Sequence, residues 1–229
     1  MTLAIMQPYL FPYIGYWQLI NAVDSFVIYD DVNYINKGYI NRNSILSNEK
    51  SQQFTLELIG ASQNKLINEI EIGNNSKKLL KTIEMSYKKA PYFEIIFSII
   101  EDIFHQEEKN LAKFIGYSLQ KIANYLDIDT KFIYSSHIEK DNTLKAQDKI
   151  LDICNKLEAT TYINAIGGQE LYSKEIFQEK KINLNFLKTE LIKYKQFNNN
   201  FVPYLSIIDI LMFNSVIEIK KIIYKYELV

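Results

Sequence analysis

The residue types most able to do chemistry fall in four short strings. QPYLFPYIGY (7–16) joins a carboxamide, Gln7, to Tyr9, Tyr13, Tyr16 and Gly15 in a string with two prolines, Pro8 and Pro12. DDVNYINKGYINRN (30–43) carries the adjacent carboxylates Asp30 and Asp31, then Lys37, Asn41, Arg42 and Asn43. SSH (135–137) ends in His137, and NAIGGQELY (164–172) sets Asn164 and Gln169 around Gly167 and Gly168. Arg42 is the chain's single arginine; its planar fork suits bidentate binding of a carboxylate or phosphate, which lysine cannot do, while an incidental surface arginine is the plainer reading. The two aspartates suit a divalent metal or a sugar hydroxyl, and Asp30 also suits general-base work. Neighbouring strand residues face opposite ways, so only one of them reaches a given site. His137 suits acid–base work or sits solvated in a loop. Gly167 and Gly168 can offer backbone N–H groups to a phosphate or an oxyanion. Gly15, where a helix opens, suits an anion at free N–H groups. The tyrosines stack on a ligand or fill the core.

The elements that position these strings follow from the apolar pattern. Residues 3–6 read as a buried strand, 12–22 as a helix with apolar positions at helical spacing, and 25–31 as a second buried strand ending in the two carboxylates. Strand, Pro/Gly loop, helix and strand within some thirty residues is the βαβ unit of a parallel sheet. Residues 32–46 read as a hairpin or ordered loop around Gly38, 54–59 as a strand, and 64–72 as strand or short helix, with strand in its second half. A helix over 76–104, broken near Ala90-Pro91, and another over 108–126 form a helical insert at about 76–126. Strands at 131–136, 161 onward and 182–188 alternate with a helix over 145–159 and with a helix after the Gly-Gly turn. From residue 205 the chain closes as helices. The pattern predicts a single α/β domain over 1–229: a Rossmann-like three-layer domain with a helical insert and C-terminal helices. Ligands of such sheets bind beyond the carboxyl ends of the strands, where all four strings fall.

Composition removes several classes. With 26 Lys+Arg against 27 Asp+Glu the net charge is −1, without the basic excess of a nucleic-acid binder. A content of 48% hydrophobic and 14% aromatic residues belongs to a packed core rather than a disordered chain. No apolar run approaches the roughly 18 residues of a membrane helix, so no membrane insertion is expected. One cysteine and two histidines make neither an internal disulfide nor a zinc cluster, and no metal is assigned. Cys154 has apolar helical neighbours and reads as core. Prolines interrupt the apolar N-terminus where a signal peptide needs a continuous stretch, which makes the cytoplasm the expected location.

The first strand, Pro-rich loop and helix look like the start of the nucleotidylyltransferases, whose His-x-Gly-His positions are Tyr13 and Tyr16 here, without the imidazoles. A fuller resemblance rests on IMQPYLFPYIGYWQLI, VDSFVIYDDVNYINKGYINRN, YINAIGGQELY and LSIIDILMFNS. In order and spacing these strings resemble the WbqC-like family, from the first residues to about 215. That family is tied to bacterial surface-polysaccharide gene clusters, O-antigen synthesis above all. Many members carry His just before Gln-Pro; this chain has Met6, and Tyr9 or an aspartate would take that role.

The resemblance implies a cytoplasmic transferase that acylates or aminoacylates a nucleotide-linked amino sugar. Asp30 would accept the amine proton, with His137 a further acid–base candidate, and Gln7 or Asn164 would orient the acyl oxygen. Arg42 and Lys37 would hold the diphosphate with help from Gly15, Gly167 and Gly168. Tyr9, Tyr13 and Tyr16 would stack on base or sugar, and Asp31, Asn41, Asn43 and Gln169 complete the substrate set. The donor would be acyl-coenzyme A or a carrier-protein thioester. A nucleotidylyltransferase-like enzyme and a non-catalytic sugar-binding or assembly protein are the alternatives.

Overall fold

The computed structural model describes residues 1–197 and 200–229. β1 (Thr2–Met6), α1 (Ile14–Asn21) and β2 (Ser25–Ile28) form the expected parallel unit, with Leu3 beside Ser25 and Met6 beside Ile28. A long excursion follows: the hairpin β3 (Arg42–Ser47) and β4 (Lys50–Thr55), the short pair β5 (Leu58–Ile59) and β6 (Glu71–Ile72), then helices α2 (Ser76–Tyr87), α3 (Phe93–His105) and α4 (Leu111–Tyr125). The chain returns as β7 (Lys131–Tyr134), α5 (Ala146–Lys156), β8 (Thr161–Ala165), α6 (Lys174–Glu179), β9 (Asn183–Thr189), α7 (Ile207–Phe213), α8 (Val216–Ile223) and β10 (Tyr226–Leu228).

The main sheet has the order β10-β9-β8-β1-β2-β7, parallel except for β10. Its central strands β1, β2 and β8 are buried on both faces, which explains their continuous apolar runs. Leu3, Ile5, Val27 and Tyr162 pack with α5 and with Phe177 of α6. Ala4, Phe26, Ile28 and Ile163 turn the other way into a cluster with α1, α7 and α8 that continues through Ile83, Ile100 and Ile115 of the helical excursion. The sheet thus carries helices on both sides. No helix among the described residues is long and apolar enough to cross a membrane.

Four expectations are corrected. β2 ends at Ile28, so Asp30 and Asp31 lie beyond the strand rather than closing it. The single strand expected over 54–59 is the end of β4 plus the separate β5; KSQQFT is exposed at all but one position, so β4 lacks the apolar alternation that marks a strand. Its turn is made by Asn48 and Glu49, both left-handed (φ 48° and 62°), as a two-residue hairpin requires. Gly167 and Gly168 sit inside a 3₁₀ turn, Ile166–Leu171, rather than directly before an α-helix. The chain closes on β10, an exposed three-residue edge strand paired with β9, too short to show a period.

Candidate functional site

The strand order reverses at β1, because β2 and β7 extend the sheet one way and β8 and β9 the other. Loops leaving the carboxyl ends of β1 and β8 diverge at such a point and leave a crevice. Here that crevice is a cleft of about 610 Å³, within the roughly 300–1,000 Å³ of small-molecule sites. Met6, Gln7, Pro8, Tyr9 and Tyr16 come from β1, its loop and α1. Asn164, Gly167, Gly168, Leu171 and Tyr172 form the opposite wall, Tyr29 follows β2, and Ile35, Gly38 and Tyr39 overhang from the loop before β3. Among the described residues, those lining the cleft carry no charge, and five are tyrosines: Tyr9, Tyr16, Tyr29, Tyr39 and Tyr172.

The loop after β1 is held from behind. Asn43 Nδ2 donates to the carbonyls of Leu10 (3.1 Å) and Phe11 (2.6 Å), and Ser206 Oγ donates to Phe11 O (2.8 Å). Trp17 Nε1 and the Ile207 amide both donate to Pro12 O, at 3.2 and 3.0 Å. Phe11, wholly buried, is held at φ 44°, a conformation an L residue adopts only when its surroundings over-determine it. Further back, the buried Asp209 carboxylate accepts from Tyr87 (2.8 Å), Tyr194 (2.6 Å) and Gln196 (2.7 Å). Burial pushes Asp209 up, the three donors act against it, and the net shift is upward.

The front of the loop presents side chains. Tyr16 Oη donates to Gln7 O (2.8 Å), and the Tyr9 ring meets Tyr16 edge-on at 5.8 Å and Tyr39 at 5.4 Å. Burial raises the hydroxyls of Tyr9, Tyr16 and Tyr172, and pushes Tyr29 up to about 12. These phenols are therefore hydrogen-bonding and stacking groups at neutral pH rather than bases. Asn164 Oδ1 accepts from the Ala165 amide (2.8 Å). A Cβ at Gly168 would stand 2.7 Å from Asn164 Nδ2, whereas one at Gly167 meets nothing within 4 Å.

Of the residues singled out in the sequence, Gln7, Tyr9, Tyr16, Asn164, Gly167 and Gly168 come together in the cleft. The others lie outside its lining. Asn41 bridges Tyr34 and Leu56 O, and Asn43 clamps the loop from behind. Arg42 Nε donates to Gly38 O (2.8 Å), so the arginine braces the overhanging loop. Lys37 is exposed with φ 62° on that loop, and Gln169 is exposed on the 3₁₀ turn. Gly15 lets α1 approach β9, since a Cβ there would stand 2.7 Å from Thr189 Oγ1. Tyr13 turns to Tyr204 and lines a smaller hollow of about 250 Å³.

The adjacent aspartates do diverge. Asp30 Oδ1 accepts from the Ser136 amide (2.9 Å), and its Oδ2 accepts from Ser136 Oγ (2.7 Å) and Asn68 (3.3 Å), tying β7 to the excursion. Asp31 pairs with Lys140 at 2.5 Å. Burial pushes its carboxyl up, but the Lys140 hydrogen bond and the neighbouring lysines outweigh that, and the net shift is downward. His137 is exposed beside Tyr134. Cys154 is buried, its thiol pushed up to about 12 by burial.

Two lining residues, Tyr29 and Tyr39, were not singled out. The available signals were an aromatic residue at the end of a buried strand run, and one directly after a loop glycine.

Comparison with known proteins agrees with the motif order. The chain is 28% identical over 213 residues to the uncharacterized protein Rv1507c of Mycobacterium tuberculosis, covering 91% of each. No solved structure matches it significantly. The sequence profile of the WbqC-like protein family matches residues 7–221, a span that holds both walls of the cleft and the clamp behind it, and the chain belongs to that family.

Proposed function

We propose that the chain is a transferase of surface-polysaccharide assembly that holds a nucleotide-linked amino sugar in the cleft and acylates or aminoacylates its amino group. The observation that carries this reading is the uncharged cleft at the sheet's switch point, lined by five tyrosines with the carboxamides Gln7 and Asn164. Aromatic faces suit a base or the apolar face of a sugar, and stacking on a base is worth about 1–3 kcal/mol. Carboxamides donate and accept at once, as sugar hydroxyls do. Five parallel strands with the antiparallel β10 at one edge, in an order that reverses at β1, give the crevice in which open α/β sheets hold their ligands, which supports the same reading.

In the reaction, the sugar amine attacks the thioester carbonyl, a C–N bond forms, the C–S bond breaks, and the amine proton leaves with the thiolate as a free thiol. Gln7 and Asn164 would donate to the developing oxyanion. With Asp30 and His137 outside the lining, the gain in rate rests on orientation of the reactants rather than on a side-chain base. Acyl-coenzyme A or a carrier-protein thioester would approach at the mouth, where Ile35, Tyr39 and Leu171 are exposed. Such substrates would put the reaction in the cytoplasm. The uncharged lining also favours a second reading, a sugar-binding protein without turnover.

Thermal denaturation with a panel of nucleotide sugars, including 3- and 4-amino-deoxy forms, tests both. A ligand at a hundred times its Kd stabilises by about 2.7 kcal/mol, a rise in Tm of roughly 5–10 °C for a chain of this size. One amino-sugar nucleotide should give such a rise, and thioester consumption in its presence separates transferase from binder. No rise with any nucleotide sugar at millimolar concentration would overturn both.

A further inference from the structure

Beside the cleft lies a second hollow of about 520 Å³, lined by Asp31, Asn33, Leu144, Lys145, Ala146 and Lys149 among others. Tyr29 lines both spaces, so one ligand can occupy the two around that ring. Their electrostatics differ. The cleft is uncharged, whereas the second hollow holds two lysines and a carboxylate whose charge Lys140 already compensates.

Lys149 stands out there. It is only 8% exposed, and its ammonium lies 5.6 Å from the centre of the Tyr29 ring. Its charge couples to the Asp31 carboxylate, which Lys140 already pairs at 2.5 Å. With Lys140 holding that carboxylate, Lys145 and Lys149 leave the hollow with surplus positive charge, which the Tyr29 ring face offsets only in part. The same wall carries the start of α5, an eleven-residue helix whose N-cap position, Lys145, provides no side-chain acceptor for the free N–H groups. A lysine and an uncapped helix start together are the chemistry of an oxyanion site.

We infer that the second hollow takes a phosphate-type oxyanion: the phosphate or diphosphate of the ligand whose uncharged rings lie in the cleft. This rests on the nucleotide-sugar reading above, and it moves the diphosphate from Arg42 and Lys37 to Lys149, Lys145 and the start of α5. The same chemistry would accept inorganic pyrophosphate or the diphosphate of coenzyme A.

Backbone amide NMR of the full chain tests it, with inorganic pyrophosphate, uridine, a uridine-diphosphate amino sugar and coenzyme A as separate probes. Pyrophosphate should shift the amides of residues 144–149, and Lys149→Met should weaken it at least tenfold while Lys149→Arg stays within a few-fold of wild type. Uridine should shift only amides around Tyr39 and Gly167. Whichever of the two larger probes moves both sets at once identifies the source of the diphosphate. Shifts at residues 13–16 or 37–42 in place of 144–149, or wild-type affinity in Lys149→Met, would overturn the inference; should the variants fail to fold, the wild-type shifts decide alone. A silent cleft with uridine and with the amino sugar would instead overturn the nucleotide-sugar reading and leave the anion site standing.

Discussion

The loop over residues 7–13 has a back and a front built on different principles. At its back, polar side chains are consumed in holding backbone: Asn43, Ser206 and Trp17 reach its carbonyls, and Asp209 gathers three donors behind them. At its front, Gln7, Tyr9 and Tyr16 line open space with the opposite wall of Asn164, Gly167 and Gly168. Residues from the same short motifs thus divide into those that hold the site and those that face it. The clamp fixes the loop before any ligand arrives, which lowers the ordering cost of binding. Losses at the back should appear as stability, and losses at the front as affinity.

The largest effect is expected furthest back. Asp209→Ala takes the shared acceptor from Tyr87, Tyr194 and Gln196, of which Gln196 keeps Val202 O at 3.1 Å. At roughly 1–3 kcal/mol for each of the two donors left without one, stability should fall by about 2–6 kcal/mol and Tm by at least about 4 °C, measured by calorimetry. Asn43→Leu removes both bonds from Asn43 Nδ2, but Phe11 O keeps Ser206. A loss of about 2 kcal/mol follows, read as a lower denaturation midpoint. A midpoint as low as that of Asp209→Ala would show that the loop rests on Asn43 more than on the cluster behind it.

Much of this arrangement is legible in sequence. The first βαβ unit and the helices announce themselves because buried parallel strands read as continuous apolar runs and amphipathic helices have a strong period, and the edge where the strings gather follows from the succession of strands and helices. The direction of a polar side chain is not legible. Asn41, Arg42 and Asn43 sit in a string rich in binding chemistry, yet an asparagine or arginine holds backbone as readily as it holds a ligand, and here all three hold backbone. Lys149 was missed for the opposite reason: on an amphipathic helix a lysine reads as solvated, and only the packing of Tyr29 beside it shows it buried. Short exposed strands such as β4 and β10 carry no period at all.

The neighbouring glycines allow the finest comparison. Gly168→Ala drives a Cβ toward Asn164 Nδ2 and should cost about 1 kcal/mol as overpacking. Gly167→Leu meets no protein atom within 4 Å of its Cβ, so its stability should stay within about 0.5 kcal/mol of wild type, while its side chain adds bulk in open space at the lining of the cleft. The most direct test of the account is therefore the ligand-induced Tm rise of Gly167→Leu with the nucleotide sugar that stabilises the wild type. The account predicts an unchanged Tm without ligand and no rise with it; a full wild-type rise would show that the ligand binds elsewhere.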